Sequence, residues 1–504
     1  MKTDKKVLIL LFAMLVAVVS ASGFASCDKK TEDKTANESA GGLGGDAPEE
    51  ETQGNSRLDV KDGLPDGLDF EGMEFKILYP AWSMYTDYYF VEAQNGEVMN
   101  DAVYKRQKDV EERLNVEIRY LSVADGDIST IAPAVVKTVQ SGTDEYQLAL
   151  THCIGGVTES IGFVYDWNKV PHVDFSKPWW NQEMNNELAV QNVLLVAVSD
   201  LIIFDPNVIY FNKDIIKDFA LEDPYDVVRS GRWTWDKLAD MGKKVTKDLN
   251  GDGKWGTEDQ YGMVANTGWV PQSALQGCDM TSVTKMPDGE LRFNLLDERF
   301  DRIMNTIYDI FYDNTVTFLD EYWDPNAFGT TRIKYESEVS MNSGRVLFMP
   351  DALSAGRFYR TYDVEFGILP FPKLDENQER YWSLSWNGFM IIPLSANPEV
   401  SGAVCEALAA ESYKYVVPAY YDIILTSKVA RDDESKEMID IIYQGACYDF
   451  ALNYTNWSPL SHVIPNVLSS KKKDYVSYVE KNKDAFMNTL QKTYDKIIEY
   501  YIDN

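Results

Sequence analysis

Residues 248–259 read Asp248-Leu249-Asn250-Gly251-Asp252-Gly253-Lys254-Trp255-Gly256-Thr257-Glu258-Asp259. Side-chain oxygens stand at the first, third and fifth positions, a glycine at the sixth and a carboxylate at the twelfth, which is the spacing of a calcium loop. A hard cation needs several oxygens converging within one tight turn, and Gly253 permits that turn. The expected ligands are Asp248, Asn250, Asp252 and Asp259, with Lys254 contributing only its backbone carbonyl. Asp259 stands where a calcium-binding helix–loop–helix has glutamate, and its shorter side chain reaches with one oxygen rather than two. An extended run, Tyr261–Ala265, follows in place of a second helix, so the expected ion is structural and static. The competing reading is a polar Asn-Gly/Asp-Gly loop that holds no metal.

A second chemistry is suggested by 12 Trp, 30 Tyr and 22 Phe. Sugars present C–H faces that stack on aromatic rings, and their hydroxyls need Asp, Asn, Arg or Glu partners. The candidates lie at loop positions after expected strands: Trp82 and Tyr85, Trp179 and Trp180, and Arg357 with Phe358. Asp205 could accept hydroxyl protons, and His152 follows the third expected strand. For any single ring, core packing is the competing assignment.

Catalytic constellations are sparse. The histidines are His152, His172 and His462, and no GxSxG elbow accompanies them. His152 and Cys153 are adjacent, so on a strand their side chains diverge. Carboxylates are abundant enough that a glycosidase pair is not excluded by count. With 48 basic against 80 acidic residues the net charge is -32, which argues against a nucleic-acid partner.

Lys2, Lys5 and Lys6 precede an apolar stretch from Val7 to Val19 and the small residues Ser20 to Gly23. This is a secretory signal, too short in its apolar part to span a bilayer. Phe24-Ala25-Ser26-Cys27 resembles the bacterial lipobox, with phenylalanine at a position that usually holds leucine. The resemblance implies cleavage after residue 26 and acylation of Cys27, palmitate included. Plain secretion with cleavage near Ala25 is the alternative. Loss of residues 1–26 leaves a still more acidic chain, so attachment would come from acyl chains rather than a basic patch. Cys153, Cys278, Cys405 and Cys447 form no CxxC pair and read as buried free thiols.

Residues 28–66 contain almost no large apolar side chains and are expected to be a flexible tether. Folding is expected from about Phe70. Phe75, Ile77 and Tyr79 alternate with polar residues as in a strand. Val116–Tyr120 and Tyr146–Leu150 are further strands, with helices beginning at Asn100 or Asp101 and at Ile131. Extended apolar runs occupy Val193–Phe204 and Val208–Phe211, and Thr234 caps a helix. Val346–Met349, Phe366–Leu369 and Phe389–Ile392 are buried strands. Two amphipathic helices follow, the last carrying Phe486, Leu490 and Tyr494. Alternating strands and helices predict two α/β lobes with ligands at the strand carboxyl ends.

Several stretches taken in order resemble a known family. They are KPWW (177–180), NVIYFNKDII (207–216), SGRWTWDKLADMGKKV (230–245), SGRVLFMPDALSAGRF (343–358), WSLSWNGFMIIPLSANPEVSGAVCEAL (382–408) and VARDDESKEMIDII (429–442). Together they resemble the extracellular solute-binding proteins of ABC importers, in the sugar-binding branch that includes maltose-binding protein. The resemblance implies a type II periplasmic-binding-protein-like α/β fold with a hinge and an interlobe cleft. It implies lobe 1 from 69–190 plus 387–430 and lobe 2 from 191–386 plus 431–504, after a signal peptide (1–26) and a lipidated, acidic linker (27–68). It places Trp386 and Asn387 at a lobe crossing and makes Trp82 and Trp386 the leading cleft candidates. The implied function is capture of a sugar or oligosaccharide by hinge closure and delivery to a membrane permease. The carrier would be a lipid-anchored monomer without catalytic residues. The rivals are a surface glycoside hydrolase and a carbohydrate-binding lipoprotein outside transport.

Overall fold

A computed structural model describes residues 57–80, 86–123, 128–152, 157–287, 289–320, 341–359, 362–386, 388–426, 433–455 and 458–503. The signal segment, Cys27, Trp82, Tyr85, Cys153 and Asn387 lie outside the described residues. The strands are β1 (Met73–Pro80), β2 (Val116–Val123), β3 (Leu148–His152), β4 (Asn207–Asn212), β5 (Tyr261–Asn266), β6 (Val283–Lys285), β7 (Leu291–Phe293), β8 (Thr317–Asp320), β9 (Val346–Ala352), β10 (Phe366–Leu369), β11 (Ser383–Leu384), β12 (Gly388–Ile391) and β13 (Ala446–Cys447).

The first sheet has the order β12-β3-β1-β2, with β1 parallel to both β2 and β3 and β12 antiparallel to β3. The second has the order β10-β4-β9-β5-β8, with β4 antiparallel to β9 and β10 and β5 parallel to β8 and β9. Every residue of β3, β4 and β5 is buried. Helices therefore cover both faces, which explains why these strands read as continuous apolar runs. The result is a two-lobed α/β architecture.

Local signals set the helices. Asn115, at φ 51°, ends helix Val98–Leu114 in the left-handed conformation, its N–H bonding Glu111 O. The Thr234 hydroxyl accepts from Lys237 N at 3.2 Å and starts helix Trp235–Val245. Asn397 caps helix Pro398–Glu411, which begins with proline, a residue suited to a helix first turn.

Two features differ from the sequence reading. The run Val193–Phe204 forms no strand but an irregular crossing held by isolated bridges such as Ala197–Met390. The tether ends earlier than 66, because Leu64 is only 7% exposed and Asp62 pairs with Arg113. The first turns of the last helix, Tyr475–Tyr501, lie against helix Glu298–Phe311, where Tyr475 donates to Asp301 at 2.6 Å. Its final turn lies against residues beside β12, where Tyr501 donates to Val164 O at 2.8 Å and accepts from Gly162 N.

The buried apolar side chains do not divide between the sheets. One cluster runs from Phe75 and Ile77 through Trp167 to Trp235 and Phe300. A second joins Tyr88, Met99 and Val103 to Tyr210, Met349 and Phe366 through Val416 and Tyr420. Cys278 and Cys405 are buried free thiols and Cys447 is a partly buried one. Among the described residues no helix is long and apolar enough to cross a membrane.

Candidate functional site

The carboxyl ends of strands in both sheets meet at one place. In the first sheet β3 ends at His152, and antiparallel β12 begins opposite it with Gly388. A Cβ at Gly388 would stand 2.0 Å from Thr151 O, so only glycine allows this approach. Trp386 is thereby held at the same edge as His152. After β1 comes helix Thr86–Tyr89. In the second sheet β9 ends at Ala352, opposite Asn207 at the start of antiparallel β4. Asp205 and Ser354 therefore share that edge.

Asp205 joins the two edges. Its Oδ1 accepts from Ser354 N at 2.7 Å and its Oδ2 from Ser354 Oγ at 2.5 Å. Oδ1 also accepts from the Tyr420 hydroxyl at 3.3 Å. Tyr420 in turn meets Tyr88 edge-on, ring centroids 5.4 Å apart. Arg106, fully buried, fixes the short helix that carries Tyr88: its guanidinium donates to Tyr89 O at 2.6 Å, Tyr88 O at 3.3 Å and Ser412 Oγ at 3.2 Å. The sequence reading did not single out Arg106, since a lone arginine within an amphipathic helix normally faces solvent.

Beside this junction stand the half-buried rings of Phe204, Tyr421 and Tyr443, with centroids 5.5 and 4.9 Å apart. The Tyr443 hydroxyl donates to Phe204 O. Burial pushes the Asp200 carboxyl up to about 7, with the Arg57 guanidinium pulling the other way. On the second edge, Asn266 at the end of β5 accepts from Gly268 N at 2.9 Å. Asn207 donates its amide to Ser273 Oγ. Pro206 bridges to Ser385, which brings half-buried Trp386 alongside. The Trp386 ring stacks with His462 at 6.4 Å and 22°. Burial holds His462 at about 4 and His152 at about 3, so both imidazoles are neutral near pH 7.

The structure thus groups Asp205, His152 and Trp386 at the two edges. It places Trp179 and Trp180 elsewhere: they are 0% and 2% exposed, and their indole N–H groups donate to Glu406 at 3.1 and 2.7 Å. These rings belong to a packed interior and present no open face. Arg357 and Phe358 fall on helix Gly356–Tyr359, directly after Ser354 and Ala355.

The loop 248–259 is organised by its own backbone. Asp248 accepts from Gly251 N and Gly253 N at 2.6 and 2.9 Å, Asn250 from Asp252 N, and Asp252 from Lys254 N. Buried Asp259 accepts from Leu249 N and Gly256 N. Gly251 and Gly253, at φ 73° and 72°, make the left-handed turns. Every carboxylate oxygen engaged this way retains a second lone pair. Among the described residues no three His, Cys, Asp or Glu side chains are grouped so that they could hold a metal ion.

No protein-family model matches the sequence, and no curated protein matches it. Solved structures do. The galacto-N-biose-/lacto-N-biose I-binding protein of an ABC transporter from Bifidobacterium longum, in complex with lacto-N-biose, is 12% identical. It covers 84% of this chain and 98% of its own, at a TM-score of 0.57. An ABC substrate-binding protein from Listeria monocytogenes in complex with cycloalternan is 11% identical over 81% and 99%, at 0.51. UgpB from Mycobacterium tuberculosis, in complex with glycerophosphocholine, is 12% identical over 85% and 99%, at 0.51. At these identities the likeness is one of fold.

Proposed function

We propose that this chain, which has the two-lobed fold of the ABC-transporter solute-binding proteins, captures a sugar or oligosaccharide where the two strand edges meet. The observation that carries the reading is the junction at Asp205. One buried carboxylate gathers the edge of the second sheet through Ser354 and helix Val417–Thr426 through Tyr420. Trp386 supplies a half-buried ring at the same edge, and aromatic faces suit the C–H surfaces of sugars. The ligand bridges the lobes and stabilises their closed arrangement, and the closed form is what a membrane permease accepts.

The anchor belongs to the same reading. Acylation at Cys27 holds the chain on the outer face of the cell membrane, and the acidic segment before Arg57 spaces it from the surface. The loop of Asp248, Asn250, Asp252, Lys254 and Asp259 takes a structural calcium ion that rigidifies the second lobe. Ligand screening by thermal shift tests the main claim: a neutral oligosaccharide raises the unfolding temperature and is recovered unchanged.

A further inference from the structure

We infer that the neutral polar side chains gathered around Asp449 form a hydroxyl-recognising subsite for an uncharged polyol, with Gln272 and Asn453 setting its selectivity. The inference rests on the solute-binding reading and names the chemistry of one wall of that site.

Asp449 is buried and already engaged. Its Oδ2 accepts from Gln276 Nε2 at 2.9 Å and Ser282 N at 3.5 Å, and its Oδ1 from Leu452 N at 2.8 Å. The groups around it are not satisfied. Gln272 is 0% exposed and Asn453 3%, and neither amide finds a hydrogen-bond partner through its oxygen or its nitrogen among the described residues. The same holds for Gln276 Oε1 and the hydroxyls of Ser282 and Ser383. Among the described residues, seven buried donor or acceptor atoms in these five residues have no partner, whereas buried polar groups are as a rule paired.

These residues are neighbours through the fold. Gln272 precedes Gln276 by one turn of helix Trp269–Gly277, so both share a face. Asn453 follows Asp449 by one turn, its N–H bonding Asp449 O at 3.1 Å. Ser383 lies opposite Ala446 in the β11–β13 pair, three residues before Asp449. The group is continuous with the strand edge already described. Helix Trp269–Gly277 follows the carboxyl end of β5, and Ser273 next to Gln272 is bonded by Asn207. That helix packs against helix Val463–Ser469, whose preceding residue His462 stacks on Trp386.

The chemistry of the unsatisfied atoms defines the ligand. Amides and hydroxyls offer donors and acceptors together and carry no charge. A hydroxyl-rich molecule satisfies both senses at once. An anion uses donors only and would lie beside the Asp449 carboxyl. A cation uses acceptors only and leaves the amide N–H groups bare.

Calorimetry on the intact protein with maltotriose, mannotriose and lacto-N-biose, and with glycerophosphocholine as a charged control, tests this. Gln272→Leu and Asn453→Leu should keep or raise the unliganded unfolding temperature and weaken the bound neutral sugar at least tenfold. Ser383→Ala, the mildest truncation, should weaken it about threefold. Sugar binding within twofold of wild type in all three variants overturns the subsite and leaves the solute-binding reading standing; the groups then hold structural water only. Preference for glycerophosphocholine, unaffected by the leucine variants, overturns the ligand class. If none of the four probes binds, the solute reading fails and the subsite falls with it.

Discussion

Tyr420 donates its phenolic hydroxyl to Asp205 at 3.3 Å, joining helix Val417–Thr426 to the carboxyl edge of the second sheet. Both residues are buried, 1% and 2% exposed, and Ser354 supplies two more donors to the same carboxylate.

Replacing Asp205 with alanine leaves the Ser354 amide and hydroxyl and the Tyr420 hydroxyl without their acceptor. The expected loss is about 3 kcal/mol in urea unfolding, while Tyr420→Phe costs about 1 kcal/mol. Equal, near-zero effects from both would show that the junction is not held by this carboxylate.

Two tryptophans should separate ligand capture from packing. Trp386→Ala removes the half-buried ring at the strand edge and should weaken a bound sugar about tenfold with a modest change in stability. Trp180→Phe removes a donor to Glu406 in the interior and should cost about 1–2 kcal/mol while ligand affinity holds. Titrations of both variants beside unfolding curves check the pair, and the reverse outcome would relocate the site.

Glu406 gives a pH signature. Burial pushes its carboxyl from the ordinary 4.5 up to about 7, although the Trp180 and Trp179 indoles and the Asp174 amide favour the charged form. The folded state therefore keeps a proton that the unfolded chain has released between pH 4.5 and 7. The stability from this group is complete below pH 4.5 and is lost as pH rises through about 7, to the extent of about 3 kcal/mol. Glu406→Gln should flatten that part of the stability–pH curve, as read by denaturant unfolding at several pH values.

Calcium should raise the unfolding temperature by a few degrees at millimolar concentration, and a chelator should reverse it. Asp248→Ala and Asp252→Ala should abolish the response while leaving sugar binding intact. An identical rise in these variants would place any calcium effect outside the loop.

Strands such as β3 and β9 were legible because Leu148–Leu150 and Val346–Met349 are apolar runs between helices, whereas the order of the strands in each sheet was not read from the sequence. Val193–Phe204 misled because an irregular buried crossing has the same composition as a strand. Trp179 and Trp180 misled because an indole looks alike on a cleft wall and in a core, and Glu406, which fixes them, lies more than 200 residues away in sequence. Asp205 and Trp386 were named from their place in the chain order and from the resemblance, and the structure sets both at strand edges. Gln272, Asn453 and Arg106 were not, because their roles depend on a burial that only tertiary contacts create.

The most direct test of the account is a titration of the intact protein with a neutral oligosaccharide, followed at once by scattering and by product analysis. The account predicts saturable binding, a smaller radius of gyration in the bound form, and sugar recovered intact. Cleaved sugar, or binding with no change in dimensions, would contradict it.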